Sequence, residues 1–270
     1  MRYILILLML LWCSLGHTAE GPNIRVLALK HSKEQMAQGD EDLAFRGIQE
    51  AKSKGLHIEA IGGHWVNKDG IMRVKILNFD WNIDKFREFV SQEMKTDAEQ
   101  GDTVVVFTIG HGARSGYLDN LGQRSEVLEA IAQAAEENDQ RTLWWQLSCH
   151  ATAGLPNINT LSEKQQELLT ISASSSAERQ SPAGVEGKIM GSVFNAIAEK
   201  SSAIDPNHDD QITAKELKNF LATQGRGKLF FAATENQMVF GGKDLANQIP
   251  IIDRNNPQGE YPPGYIPIPK

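Results

Sequence analysis

The stretch TVVVFTI, residues 103–109, is followed at once by the Gly-His-Gly turn of residues 110–112. An unbroken run of β-branched and apolar residues predicts a strand that is buried on both faces, as in a parallel sheet covered by helices. A second run, LWWQL at 143–147, ends in the Ser-Cys-His turn of 148–150. These two strands and the turns that follow them decide the fold and point to the site.

On either side of this stretch, apolar runs alternate with segments of helical period. We expect strands at 24–29, 56–61, 168–173 and 228–233, with an edge strand or hairpin at 72–77. The helices are expected at 42–54, 83–94, 125–136, 161–167 and 185–200, and a polar loop followed by a helix at 205–223. The alternation predicts an α/β fold with a mainly parallel central sheet and helices on both faces. In such sheets, ligands bind at the carboxyl ends of the strands.

The first 19 residues predict export. Arg2 precedes an apolar run at 3–12, after which small and polar residues follow. This is the pattern of a secretory signal peptide, cleaved after Ala19 or Gly16, and it predicts a secreted or periplasmic protein. The run is short for a membrane span, which needs about 20 residues. A membrane anchor, or a lipoprotein signal that ends at Cys13, remains as an alternative.

Composition narrows the function classes. The 270 residues carry 27 basic and 34 acidic side chains, a net charge of −7, and two cysteines. Two cysteines exclude a disulfide scaffold, and the acidic balance argues against a nucleic-acid partner. We expect no organic cofactor and no stable membrane span, and the oligomeric state is left open. One domain is expected at 20–245, followed by a proline-rich irregular tail at 246–270.

Loss of the signal peptide leaves Cys149 as the one cysteine of the mature chain. An odd thiol in an exported protein is either a reactive group or a small buried packing residue. If the strands at 103–109 and 143–147 are neighbours, His111 and Cys149 lie side by side at one sheet edge. An imidazole favours the thiolate and protonates a leaving amine, and the amides of Gly112 and Cys149 are candidates for an oxyanion hole. His150 leaves its strand toward the opposite face, and His31 is a less favoured substrate contact.

These residues carry a family resemblance. The strand ending in His111-Gly112 and the strand ending in Ser148-Cys149 resemble the caspase-like cysteine peptidases of clan CD, which include caspases, metacaspases and legumain. The resemblance runs in order over roughly 24–240 and is nearest to bacterial caspase-, metacaspase- and legumain-like proteins. It implies a three-layer α/β/α sandwich, with His111 as general acid/base, Cys149 as nucleophile, and Gly112 with Cys149 as oxyanion hole.

The chain departs from the family pattern before the cysteine. Leu147 stands where metacaspases and legumain carry an acidic residue that helps to recognise the substrate, so a preference for Arg or Lys is not implied. Ser174 and Ser175 match the stretch that lines the specificity pocket in the family. The resemblance therefore implies that they bind substrate, without naming the substrate side chain.

A separate segment, 205–216, has the spacing of an EF-hand loop. The oxygen donors expected to bind Ca²⁺ are Asp205, Asn207, Asp209, Gln211, Thr213 and Glu216. Asp210 stands where the loop prefers glycine. The alternative is a polar turn that caps the next helix. A single loop of this kind favours a structural calcium ion over a calcium switch.

The sequence thus predicts an exported cysteine endopeptidase that acts on a peptide or protein substrate through a Cys149 thioester. Two alternatives stay open. One is an inactive caspase-like module that binds calcium or a partner. The other is a transpeptidase or ligase that uses the same pair of residues.

Overall fold

The computed structural model describes residues 24–32, 36–62, 65–68, 70–74, 81–95, 103–156, 160–175, 186–209, 212–224 and 238–241. The predicted signal peptide, the strand expected at 228–233, the proline-rich tail and Gln211 lie outside the described residues. No helix of the described ranges is long and apolar enough to cross a membrane.

The helices and strands follow the alternation expected from the sequence. The strands are β1 (Ile24–Lys30), β2 (Ile58–Ala60), β3 (Trp65–Lys68), β4 (Ile71–Val74), β5 (Thr103–Ile109), β6 (Tyr117–Leu118), β7 (Gly122–Gln123), β8 (Arg141–Leu147), β9 (Leu169–Ala173) and β10 (Met238–Gly241). The helices are α1 (Met36–Ser53), α2 (Ile83–Lys95), α3 (Arg124–Asn138), α4 (Glu163–Leu168), α5 (Glu186–Ala198) and α6 (Ala214–Gln224).

The central sheet has the order β10-β9-β8-β5-β1-β2. Strands β9, β8, β5, β1 and β2 are parallel, whereas β10 joins the edge antiparallel to β9. In the middle of the sheet β5 pairs with β1 on one side and β8 on the other. All residues of β5 after Thr103 are buried. The prediction of a mainly parallel sheet around a strand buried on both faces is confirmed.

Helices cover both faces of this sheet. One hydrophobic core joins the sheet to α1, α5 and α6 and contains Phe45, Phe107, Trp145 and Phe194. The other joins it to α2 and α3 and contains Phe86, Val106, Leu128 and Trp144. Alternate residues of β5 and β8 enter opposite cores, as the two-residue period of a strand requires. The result is the expected three-layer α/β/α arrangement.

The differences from the sequence prediction lie in short or weakly patterned elements. Helix α1 begins at Met36, ahead of the expected start at 42. The sequence pattern missed its first turns because they carry polar residues and a glycine, which hide the helical period. Of the edge strand or hairpin expected at 72–77, the structure has the hairpin, formed by β3 and β4, and it begins earlier than expected, at Trp65. The hairpin β6–β7 was not predicted, since its two-residue strands are too short to show a period.

Candidate active site

The register of the two central strands brings His111 and Cys149 to one edge of the sheet. Strands β5 and β8 pair residue by residue up to Ile109 and Leu147, and the Gly110 N–H then donates to the Leu147 carbonyl at 3.1 Å. His111 and Cys149 each follow two residues after this last pair, and both are partly exposed. The predicted juxtaposition of an imidazole and a thiol at the carboxyl end of the sheet is thus present.

Cys149 is a free thiol. Its side chain makes no hydrogen bond to any residue that the structure describes. The structure therefore places the thiol and the imidazole at adjacent strand ends without joining them. In proteins without bound substrate, catalytic hydrogen bonds are often long and shorten only in the complex.

At Gly112 the chain that follows β5 comes close to the chain that follows β8. We define residues 110–118 as the His111 turn and residues 148–155 as the Cys149 turn. A Cβ atom at Gly112 would overlap the Cys149 carbonyl oxygen and would lie 2.6 Å from Nη2 of Arg124. Any side chain at this position would therefore push the two turns apart.

The backbone amides of Gly112 and Cys149 donate no hydrogen bond within the described part of the chain. Gly112 faces Leu118 in an isolated antiparallel bridge. The flanking bonds, Ala113 N–H to Tyr117 O and Asp119 N–H to His111 O, leave the Gly112 amide out of the ladder. Among the described residues, neither the Gly112 nor the Cys149 amide has an acceptor. Two free N–H groups beside a thiol have the chemistry of an oxyanion hole.

His31 is buried beneath the His111 turn. Its ring lies against Gly110, where a Cβ atom would be 2.6 to 2.9 Å from the ring atoms. Nδ1 lies 2.9 Å from the carbonyl oxygen of Asp119, so Nδ1 carries the proton and donates it. Burial, with smaller contributions from Arg124 and His111, lowers the pKa of His31 to about 3, although the hydrogen bond to Asp119 acts in the opposite direction. With no exposed surface, His31 supports the turn, and the idea that it contacts substrate is wrong.

His150 belongs to the backbone of the Cys149 turn. It is only 9% exposed and has a φ of 53°, in the left-handed region. Its carbonyl accepts a hydrogen bond from Ala153 N–H at 2.8 Å. This agrees with the interpretation of His150 as a packing residue and not as the base of its neighbour.

The hydroxyls of Ser174 and Ser175 are hydrogen bonded to the backbone of the Cys149 turn. Ser174 Oγ donates to the Ser148 carbonyl at 2.8 Å and accepts from the Ser148 N–H at 3.1 Å. Ser175 Oγ donates to the same carbonyl at 3.1 Å and accepts from Ala151 N–H at 3.0 Å. Both side chains are fully buried. These bonds give the serines a structural role that the sequence did not predict, while substrate binding by them stays a prediction.

Arg124 is the residue of the site that sequence reasoning missed. It begins α3, is fully buried, and reaches the Cys149 turn with its guanidinium. The signal was its position in the helix, because Arg124 continues the apolar stripe formed by Val127, Leu128 and Ile131. An arginine on the buried face of a helix needs buried acceptors, and here they belong to the turn that carries the thiol.

The segment 205–216 shows features of both alternatives. Asp205 is buried, and the side chains of Asn207 and Asp209 are hydrogen bonded to each other at 3.0 Å. Glu216 accepts from the N–H and the hydroxyl of Thr213, both at 2.8 Å, which is a capping box at the start of α6. Within the described ranges, no three acidic, cysteine or histidine side chains converge as metal ligands. Calcium binding stays a prediction.

No model of a known protein family matches the chain, and no curated protein matches it. Among solved structures, the chain is similar to caspase-1 from Spodoptera frugiperda, with 10% sequence identity and a TM-score of 0.47. The similarity covers 83% of this chain and 87% of that chain.

Proposed function

We propose that this protein is a caspase-like cysteine peptidase that hydrolyses peptide bonds, with Cys149 as nucleophile and His111 as general acid/base. The observation that carries the proposal is the β5–β8 register, which brings the two residues to the same sheet edge. Acyl transfer also requires an oxyanion hole. The Gly112 and Cys149 amides, which donate to no described residue, are suited to that role.

In the first half-reaction, the Cys149 thiol gives its proton to His111, and Sγ forms a bond to the carbonyl carbon of the substrate peptide. The electron pair of the C=O π bond moves onto oxygen, where the Gly112 and Cys149 N–H groups stabilise the charge. When the oxygen reforms its double bond, the C–N bond breaks and His111 supplies a proton to the leaving amine. The products are a free amine and a Cys149 thioester.

In the second half-reaction, water attacks the thioester carbon and His111 accepts a proton from that water. The C–S bond breaks, the acyl part of the substrate leaves as a carboxylic acid, and His111 returns the proton to Sγ, which restores the thiol. The partly exposed positions of His111 and Cys149 are suited to this step, because both substrate and water must reach them.

The nucleophile can be tested directly. Purified protein and a Cys149→Ala variant are incubated with a mixed peptide library, and new termini are detected by mass spectrometry. We expect cleavage by the wild type and none by Cys149→Ala, with Ser91→Ala on α2 as a matched control that cleaves as the wild type does. Equal cleavage by wild type and Cys149→Ala would refute the proposal.

The same experiment separates the alternatives. An inactive module gives no cleavage in any variant, although the fold is intact. A transpeptidase, in contrast, gives products joined to an added amine in place of hydrolysis products, because the amine replaces water at the thioester carbon.

We further propose that the segment 205–216 binds one structural calcium ion, supported by the spacing of its oxygen donors and the burial of Asp205. Calorimetric titration with Ca²⁺ is expected to show one site, which Asp205→Ala abolishes. Thr223→Ala at the end of α6 serves as control. No heat of binding and an unchanged melting temperature would leave the capped turn as the sole role of this segment.

We also propose that the protein is exported. This proposal rests on the sequence pattern of residues 1–19 alone.

A further inference from the structure

Arg124 contacts both of the turns that carry His111 and Cys149, the proposed catalytic dyad. Its Nη1 donates to the carbonyl oxygen of Ala153, and its Nη2 makes a long hydrogen bond of 3.4 Å to Ser148 Oγ. The same Nη2 would be 2.6 Å from a Cβ atom at Gly112. The Arg124 N–H donates to the Gly116 carbonyl at 2.8 Å. One residue thus contacts both the His111 turn and the Cys149 turn.

The guanidinium is a buried charge without a carboxylate beside it. Among the described residues Arg124 makes no ion pair, and its acceptors are a carbonyl and a hydroxyl. Burial lowers the pKa of Arg124 to about 10, which still leaves it charged at neutral pH. A buried cation is unfavourable unless a partner compensates it. Within the described part of the chain no carboxylate pairs with the guanidinium, which lies against the two turns that hold the thiol and the imidazole.

The turns themselves meet backbone to backbone. A Cβ atom at Gly116 would lie 2.8 Å from Gly154 Cα, and a Cβ atom at Gly154 would lie 2.7 Å from Gly116 Cα. Both glycines also have positive φ angles, 85° and 72°. No side chain of either residue fixes this contact, so the distance between the turns depends on neighbouring bonds. Arg124 supplies those hydrogen bonds, to the Gly116 and Ala153 carbonyls and to the Ser148 hydroxyl.

We infer that Arg124 is a positioning residue for the oxyanion site: it holds the Gly112 and Cys149 amides at the distance that an oxyanion requires and places a positive charge behind them. This inference rests on the proposed peptidase function. The electrostatic part follows from the chemistry, because negative charge appears on the substrate oxygen only in the transition state and the tetrahedral intermediate. Arg124 is therefore expected to act on kcat and not on ground-state binding.

The test compares wild type, Arg124→Met and Arg124→Lys. Arg124→Met keeps much of the volume and removes the charge and the donors, so kcat is expected to fall by about 10- to 100-fold with KM within about twofold. Arg124→Lys keeps the charge with a single donor group and is expected to have an intermediate kcat. Ser148→Ala, which removes only the Nη2 acceptor, is expected to reduce kcat less than Arg124→Met does.

A second measurement needs no turnover. A library of acetyl-tripeptide aldehydes forms thiohemiacetals, in which the thiol adds to the aldehyde carbon and the new oxygen occupies the oxyanion site. Protection of Cys149 from iodoacetamide reports this addition. We expect Arg124→Met to weaken protection by about tenfold or more. Alkylation without aldehyde, which uses no oxyanion site, is expected to stay within about twofold of wild type, which separates the effect from general unfolding.

The outcomes are distinguishable. Wild-type kcat and wild-type protection in Arg124→Met overturn the inference and leave the peptidase proposal standing. If Arg124→Met does not fold, Arg124→Lys decides, and a kcat equal to that of wild type overturns the inference. Absence of both cleavage and aldehyde protection in the wild-type protein overturns the peptidase proposal and this inference together.

Discussion

At the scale of single residues, the imidazole of His31 occupies the place where a side chain at position 110 would lie. His31 also binds the loop at Asp119 and Asn120. Its Nδ1–H donates to the Asp119 carbonyl, and the Asn120 side-chain amide donates to the His31 carbonyl at 2.7 Å. A charged ring cannot be accommodated in this buried position without loss of stability. His31 is thus a structural support whose protonation the fold opposes.

This predicts a pH dependence of stability. The pKa of His31 is 6.5 in a free side chain and about 3 in the fold. Between these values the unfolded chain binds a proton that the folded chain does not, so the free energy of unfolding decreases as pH falls below 6.5. The slope from this residue approaches about 1.4 kcal/mol per pH unit. Urea unfolding of wild type and His31→Asn from pH 6.5 downward checks it.

The variant His31→Asn is expected to be less stable than wild type at neutral pH, with a smaller pH slope. His57→Asn, at an exposed position just before β2, is the matched control for the loss of a histidine. Equal slopes for wild type and His31→Asn would show that the buried imidazole does not resist protonation.

At the scale of elements, helices α1 and α5 cross with their backbones in contact. A Cβ atom at Gly47 would overlap Gly191 Cα. Asn195 spans the crossing, since its side-chain amide donates to the carbonyls of Gly191 at 3.0 Å and Gly47 at 3.3 Å. At its edge, Lys54 binds Glu199 and Glu50, and these bonds raise its pKa. The close crossing is what lets both helices cover the same face of the sheet.

We predict that Gly47→Ala destabilises the protein by about 1–3 kcal/mol, because the added methyl group forces the helices apart. Helix propensity alone gives the opposite sign, since alanine is favoured over glycine inside a helix by about 1 kcal/mol. Chemical denaturation measures the difference. Arg46→Ala, at the exposed neighbouring position, is the control and should change stability by less than about 0.5 kcal/mol. A stabilised Gly47→Ala would mean that the two backbones do not touch.

At the scale of the whole molecule, the sequence was sufficient for the sheet, its layers and the placement of the dyad. These follow from local properties: apolar runs such as 103–109 report burial on both faces, and parallel strands end at a common edge. His111 and Cys149 could therefore be brought together although a hairpin and a helix separate them along the chain.

What the sequence did not reveal depends on contacts between distant segments. Arg124 lies on the apolar stripe of α3, which indicates burial, but only the folded chain shows the carbonyl and hydroxyl that it binds. The family resemblance implies that Ser174 and Ser175 line a substrate pocket, whereas in the structure their hydroxyls donate to the Ser148 carbonyl in the Cys149 turn. The close pairs Gly47–Gly191 and Gly116–Gly154 leave no periodic signal at all. Calcium binding and export remain predictions from the sequence.

His111 and Cys149 lie very close in sequence to the ends of their strands, and this limits how an activity at this site could be controlled. His111 and Cys149 follow the last paired residues of β5 and β8 after one intervening residue each. With so little chain to move, the backbone at neither residue can leave this edge without breaking pairs in the centre of the sheet. If the proposed peptidase function holds, an inhibitor or regulatory segment would therefore have to cover this edge from outside, because the backbone that carries His111 and Cys149 is held by the central strands.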